Sequence, residues 1–318
     1  MPISRKEFNK MLEEVESKEE TDDNFEPDID SAKIEIRNKK YVPPGYVKRG
    51  WLFFNGKFVP DNNTVEKIPS GVYTMEYDSN LGYILKSEPL NQEEIIYSNR
   101  YIKDIVGYVS KFWDSRDEFI KRGINCKRGI LMYGPPGSGK SCIIRALALE
   151  TVRRGGIVVI LQPSSAGNIS LSSVNKTLVQ VKNTEPERMI LVCVEDIEEF
   201  VRESESSLIN MIDGANSIND VVYVATTNFI KQLPPRLTRP SRFDNIVEVG
   251  MPDKSEREAY IKYLYRLSSD EIDKKWYTDT DGMSYAEIKE LFIAVNILGK
   301  DFHEIKRKFK KEYGKEIA

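Results

Sequence analysis

The chain has 318 residues, 40% of them apolar and 31% charged, with a formal net charge of −3 and a single histidine. This supplies material for a sizeable core, and the balanced charge offers no global basic field for nucleic acid, leaving only a local patch to consider. One histidine (His303) and three scattered cysteines (Cys126, Cys142, Cys193) exclude a multi-histidine metal centre and a disulfide framework. No stretch approaches the ~20 apolar residues of a membrane-spanning helix, so the chain reads as soluble, intracellular and cytoplasmic.

Residues 1–40 are dominated by acid, as in "EEVESKEETDDNFEPDID", which predicts a solvated, disordered tail. Residues 41–92 change character. Short aromatic and β-branched runs alternate with Asn-Gly and Ser-Gly turn signals, predicting a small antiparallel β unit over roughly 45–88. From 93 to 252 helix and strand alternate. Helical spacing in "IIYSNRYIKDIVGYVSKFWDSRDEFIKRG" is followed by apolar runs at "GILMY", "GIVVILQ", "MILVCV", "DVVYVAT" and "NIVEVG". Five such runs joined through helices predict an α/β fold, a parallel sheet covered on both faces. Residues 253–318 read as wholly helical.

The segment "GILMYGPPGSGKSCII" fits G-x-x-x-x-G-K-[ST], with a buried strand before it and an apolar helix after it. Glycines at 134, 137 and 139 let successive N–H groups turn towards phosphate oxygens, with Pro135, Pro136 and Ser138 completing the cradle. Lys140 is expected to reach the β- and γ-phosphates of ATP and the Ser141 hydroxyl to ligate Mg²⁺.

"RMILVCVEDIEEF" ends a second apolar run in acid, with Glu195 before Asp196 where Asp then Glu is the commoner order. By position Glu195 takes the metal side and Asp196 the activation of water, although the sequence does not fix which side chain points where. Glu198 and Glu199 are read as first-turn acids of the next helix. Asn228, at the tip of "DVVYVATTN", is placed to hold the attacking water, with Thr227 a weaker candidate. In "TRPSRFDN", Arg239 and Arg242 stand across a Pro-Ser turn and suit a neighbouring subunit's γ-phosphate better than their own loop. A basic run, "EIKRKFKKEYGK" (304–315), keeps a nucleic-acid motor or loader as an alternative, and a nucleotide-gated assembly switch is a third reading.

With these motifs in place, residues 93–300 resemble the AAA ATPases. The resemblance implies a P-loop sheet of strand order 5-1-4-3-2 with a C-terminal helical lid, "ATTN" as a sensor, and "LPPRLTRPSRFD" as the segment carrying arginine fingers. It also implies that "DIVGY" (Ile105, Gly107) flanks the adenine and that "DGMSYAEI" opens the lid helix, with Ala286 where many wider relatives carry an arginine. The partners it implies are a homo-oligomeric ring, hexamer or heptamer, and a protein substrate. The Glu-Asp-Ile-acid order is similar to the mitochondrial Rieske-protein translocase subfamily, which makes the swapped acids a variant of a live site. That subfamily has a transmembrane segment ahead of its ATPase and this sequence shows none. Where many unfoldases carry an aromatic pore loop, "PSSAGNISLSS" (163–173) has no aromatic.

Overall fold

The computed structural model describes residues 46–47, 50–54, 57–61, 64–65, 67–78, 82–89, 99–162, 170–213, 218–267 and 271–312. The acidic tail and residues 163–169 of the pore-loop segment lie outside them. The chain divides into two compact units, residues 3–70 and a larger one from Gly71 onward.

In the first unit β1 (Tyr46–Val47) pairs antiparallel with β4 (Thr64–Val65), and β2 (Gly50–Phe54) with β3 (Lys57–Asp61). The β2–β3 register sets Phe54 opposite Lys57.

The second unit is built on a seven-stranded sheet ordered β11-β7-β10-β9-β8-β5-β6. Its parallel core comprises β7 (Lys127–Tyr133), β8 (Ile157–Leu161), β9 (Ile190–Val194), β10 (Val221–Thr227) and β11 (Asn245–Glu248). Numbered 1 to 5 in chain order, these give the expected 5-1-4-3-2. Two strands are added that the sequence had grouped with the N-terminal β unit. β5 (Gly71–Asp78) pairs parallel with β8, and β6 (Gly82–Glu88) pairs antiparallel with β5 at the edge. Residues 71–88 thus extend the sheet of the large unit, and the boundary falls at 70/71 instead of 92/93. Period-2 patterning identified these strands but says nothing about which edge a strand joins.

Every residue of β9 and β10 is buried, as expected of central parallel strands covered on both faces. On one face Ile130, Met132, Leu191, Cys193, Val222 and Val224 pack with α1 (Arg100–Asp114) and α3 (Lys140–Arg153). In α1 the buried positions Ile102, Ile105, Val109, Phe112 and Trp113 recur at helical spacing, and the Asn99 side chain caps the helix by accepting from Tyr101 N at 3.0 Å. The short α2 (Arg116–Lys121) follows, and α4 (Leu171–Thr184) and α5 (Ile197–Asp213) complete the cover.

Strand β7 contains Gly129, and only glycine fits there. A Cβ would lie 1.7 Å from the carbonyl oxygen of Arg242, whose turn crosses the strand and whose neighbour Asp244 accepts from Gly129 N at 3.1 Å. The remaining chain forms an all-helical lid: α6 (Lys254–Leu264), α7 (Lys275–Thr278), α8 (Tyr285–Phe292) and α9 (Phe302–Glu312). These close on Tyr260, Ile261, Trp276, Ile288, Leu291 and Phe302.

Candidate active site

The loop after β7, the acids after β9 and the amide after β10 all stand at the C-terminal ends of their strands, the end where open α/β sheets bind ligands. They line one cavity of about 520 Å³. Its floor is Pro136, Gly137, Gly139, Lys140 and Ser141. Glu195, Asp196, Thr226 and Asn228 form one wall, and the lid side chains Tyr260, Tyr263, Arg266, Tyr285, Ala286 and Lys289 the other.

Gly134, Gly137 and Gly139 all have positive φ. At Gly137 (φ 74°) a Cβ would also come within 2.8 Å of Ser284 Oγ and 2.9 Å of Ala286 Cβ, so loop and lid are in close contact here. Ser284 and Glu287 form a reciprocal capping box that starts α8 beside the loop.

Lys140 is buried, and its Nζ donates to Gly134 O (2.7 Å), Pro135 O (3.0 Å) and Asn228 Oδ1 (2.7 Å). Burial pushes its pKa down to about 8, against the opposing pull of Asp196 and Glu198. Thr227 is structural: its hydroxyl accepts from Phe229 N at 2.9 Å. Thr226 Oγ1 instead accepts from Asp196 N at 3.3 Å and holds the acid turn, where Asp196 has the left-handed φ of 49°. Burial raises the Glu195 pKa, with Arg145 opposing and Asp196 adding to the rise. Asp196, exposed in the cavity, is raised by partial desolvation and then by Glu198, with Lys140 opposing.

The residues fit a magnesium–nucleotide. Among the described residues no backbone acceptor pairs with the N–H groups of Gly137, Gly139, Lys140 or Ser141, which leaves orphan donors at the start of α3 where an anion is favoured. Ser138 Oγ is buried in the same loop without a partner. The Ser141 hydroxyl and the Glu195 and Asp196 carboxyls supply the hard oxygen donors that Mg²⁺ prefers. A metal bound there would neutralise charge on the phosphates.

Some expected site residues lie elsewhere. Ile105 is buried in the core and Gly107 is exposed in mid-α1, so neither lines the cavity. The α1 residue at the loop is instead the cap Asn99, buried, with Nδ2 donating to Ser138 O at 3.5 Å. A polar residue ahead of an amphipathic run was the available signal. Arg239 and Arg242 do not line their own chain's cavity. Arg242 is tethered within the chain: its guanidinium donates to Asp213 at 3.3 Å and to the Arg236 carbonyl. Arg239 is exposed, and among the described residues no ion pair engages it. Of the basic run, residues 304–312 lie on α9, whose Phe302, Ile305 and Phe309 pack into the lid, and residues 313–315 lie outside the described residues.

A β-strand, glycine-cradled loop, buried lysine and strand-tip acids under a helical lid define a P-loop nucleotide site. Residues 130–251 match the family described as "ATPase family associated with various cellular activities (AAA)". The match covers the strands and loops that build the cavity and less than half of the chain. It is similar to the proteasome-activating nucleotidase of Methanococcus maripaludis (29% identity over 67% of this chain and 52% of that one). It is also similar to the ATP-dependent zinc metalloprotease FtsH of Haemophilus influenzae (30%, 65% and 36%) and to protein CdcH of Halobacterium salinarum (26%, 71% and 33%). The match therefore spans between a third and about half of each relative's length. No helix among the described residues is long and apolar enough to cross a membrane.

Proposed function

We propose that the chain hydrolyses ATP with Mg²⁺ in a homo-oligomeric ring, hexameric or heptameric, and uses the cycle to remodel or disassemble a protein partner. Within each site Lys140 orients the β- and γ-phosphates, Ser141 and Glu195 serve the metal, Asp196 activates the water and Asn228 holds it. Arg239 and Arg242 belong to the neighbouring protomer's site, with Arg239 the more available of the two. The single observation that carries this reading is Arg239, exposed and outside its own cavity while that cavity has every other part. A protein partner is favoured because two relatives bear names tied to proteolytic machinery, and because α9 spends its apolar face on the lid core. The Glu-Asp-Ile-acid order supports a likeness of the core to the Rieske-protein translocase subfamily, and we take its setting to be cytoplasmic.

Mixing tests the shared site. Asp196→Asn and Arg239→Ala proteins are each expected to lack turnover while binding ATP. Their mixture should recover phosphate release, because some interfaces then pair an intact acid with an intact arginine. Full turnover by Arg239→Ala alone, or no recovery on mixing, overturns the reading.

A further inference from the structure

Asn99, Arg100 and Tyr101 lie at the start of α1, and each touches a different part of the site's framework. Asn99 is 3% exposed, and its Oδ1 caps α1 by accepting from Tyr101 N at 3.0 Å. Its Nδ2 faces the glycine loop, 3.5 Å from Ser138 O and 2.6 Å from where a Cβ on Gly139 would lie. Arg100 meets the lid. Its backbone N–H donates to Glu256 Oε1 at 2.7 Å, and its guanidinium to Glu256 Oε2 and Asp253 Oδ2, both at 3.0 Å. Tyr101 OH accepts from Gly250 N at 3.2 Å, in the segment that joins the sheet to the lid. Glu256 is buried, and its carboxylate also accepts from Asp253 N at 2.9 Å in the capping box of α6. One acid therefore satisfies N–H groups at the starts of two helices, and both dipoles together with Arg100 offset its burial. Capping does not by itself demand this link: among the described residues the box that opens α8 is made by Ser284 and Glu287 alone.

We propose that Asn99 and Arg100 form a strap that holds the lid helix α6 in register with the glycine loop, both acting as positioning residues. The proposal rests on the cavity being a nucleotide site. In the planar trans peptide Ser138–Gly139 the C=O and N–H point in opposite directions. Holding Ser138 O from the α1 side therefore turns Gly139 N–H towards the cavity that Gly139 lines. Arg100, the next residue, carries the same constraint to Glu256, and so to Tyr260, Tyr263 and Leu264, the cavity-lining side chains of α6. Neither Asn99 nor Arg100 lines the cavity, and neither touches a reacting atom.

The test compares Asn99→Ser, Arg100→Met and the double variant in the full chain, with Mg²⁺–ADP as the probe. Serine caps a helix as well as asparagine does but is too short to reach the loop, so the melting temperature of Asn99→Ser without nucleotide should stay near wild type. Each single variant should bind ADP about fivefold or more weakly, and the double no more weakly than the weaker single, because the two residues act in series. Hydrogen exchange supplies a readout that a purely structural role would not move. At saturating ADP, the amides of 134–141 should be protected in every variant, whereas the ADP-induced protection of 254–264 should be lost in both single variants. Losses of affinity that multiply in the double variant overturn the proposal, as does an α6 protected as in wild type. So does a lowered melting temperature with unchanged ADP affinity. A wild-type chain that binds no Mg²⁺–ADP would instead refute the nucleotide site itself.

Discussion

Replacing Asp220 by Asn should separate what holds the sheet from what does the chemistry. Asp220 is buried at the start of β10, where its carboxylate accepts from Lys182 Nζ at 3.0 Å and Arg116 Nε at 2.8 Å. Its φ of 56° is one Asn tolerates, so the substitution removes charge without backbone strain. Lys182 is left with the Arg188 carbonyl alone, at 2.9 Å. Breaking a buried pair on one side costs about 3–5 kcal/mol; with Arg116 partly exposed and screened, the lower figure applies. For a unit of this size ~3 kcal/mol lowers the melting temperature by about 6–12 °C. The loss should depend on pH. Burial already holds the Lys182 pKa below its usual value, with Asp220 opposing. Without Asp220 the folded pKa falls further, so the folded state binds fewer protons than the unfolded one over a wider range. The deficit is therefore greatest near neutrality and narrows as pH rises towards 10. Denaturant unfolding at pH 7 and 9.5 measures it, and Lys182→Met in the same chain should restore most of the stability. Asp220 lies a full seven-residue strand, roughly 23 Å, from Asn228, so ATP turnover per folded molecule should be unchanged. A loss below about 0.5 kcal/mol, or a double variant no better than the single, refutes the reasoning.

The strand-tip acids should divide their work: Asp196→Asn should retain bound ATP and stop hydrolysis, whereas Glu195→Gln should chiefly raise the Mg²⁺ requirement. Radiolabelled ATP retention and a Mg²⁺ titration of turnover distinguish the two, and the reverse pattern would exchange their roles. Lys140, held near pKa 8 by burial, should regain its proton when phosphate oxygens approach. Binding at pH 8 should then take up about half a proton, read by calorimetry in buffers of different ionisation enthalpy, and the uptake should vanish in Lys140→Arg. Gly137→Ala puts a methyl at positive φ against Ser284 and Ala286, and should weaken nucleotide binding more than it lowers the melting temperature.

What the sequence made legible follows from how local each signal is. Gly134, Gly137 and Gly139 are dictated by backbone conformations that only their own positions require, so the loop could be read directly. The acids of β9 and the amide of β10 were legible because both strands are buried throughout and end abruptly in polar residues. The environment of Glu198 was not, since a first-turn acid looks the same in sequence whether it faces solvent, as Glu199 does, or the interior. Ile105 and Gly107 were misplaced because α1 runs unbroken through them, and burial of Ile105 satisfies the core. The tether of Arg242 to Asp213 joins residues 29 apart through tertiary packing, which neither composition nor spacing encodes.

The hairpin of β5 and β6 governs how this chain can be cut. A fragment begun at the family match, or at residue 93, would strip Gly71–Thr74 from Ile157–Ile160 and bare the backbone of a fully apolar strand. Such an edge invites pairing with other chains, whereas the native rim carries Glu76, Lys86 and Glu88. A fragment that keeps the sheet closed must therefore start no later than Gly71.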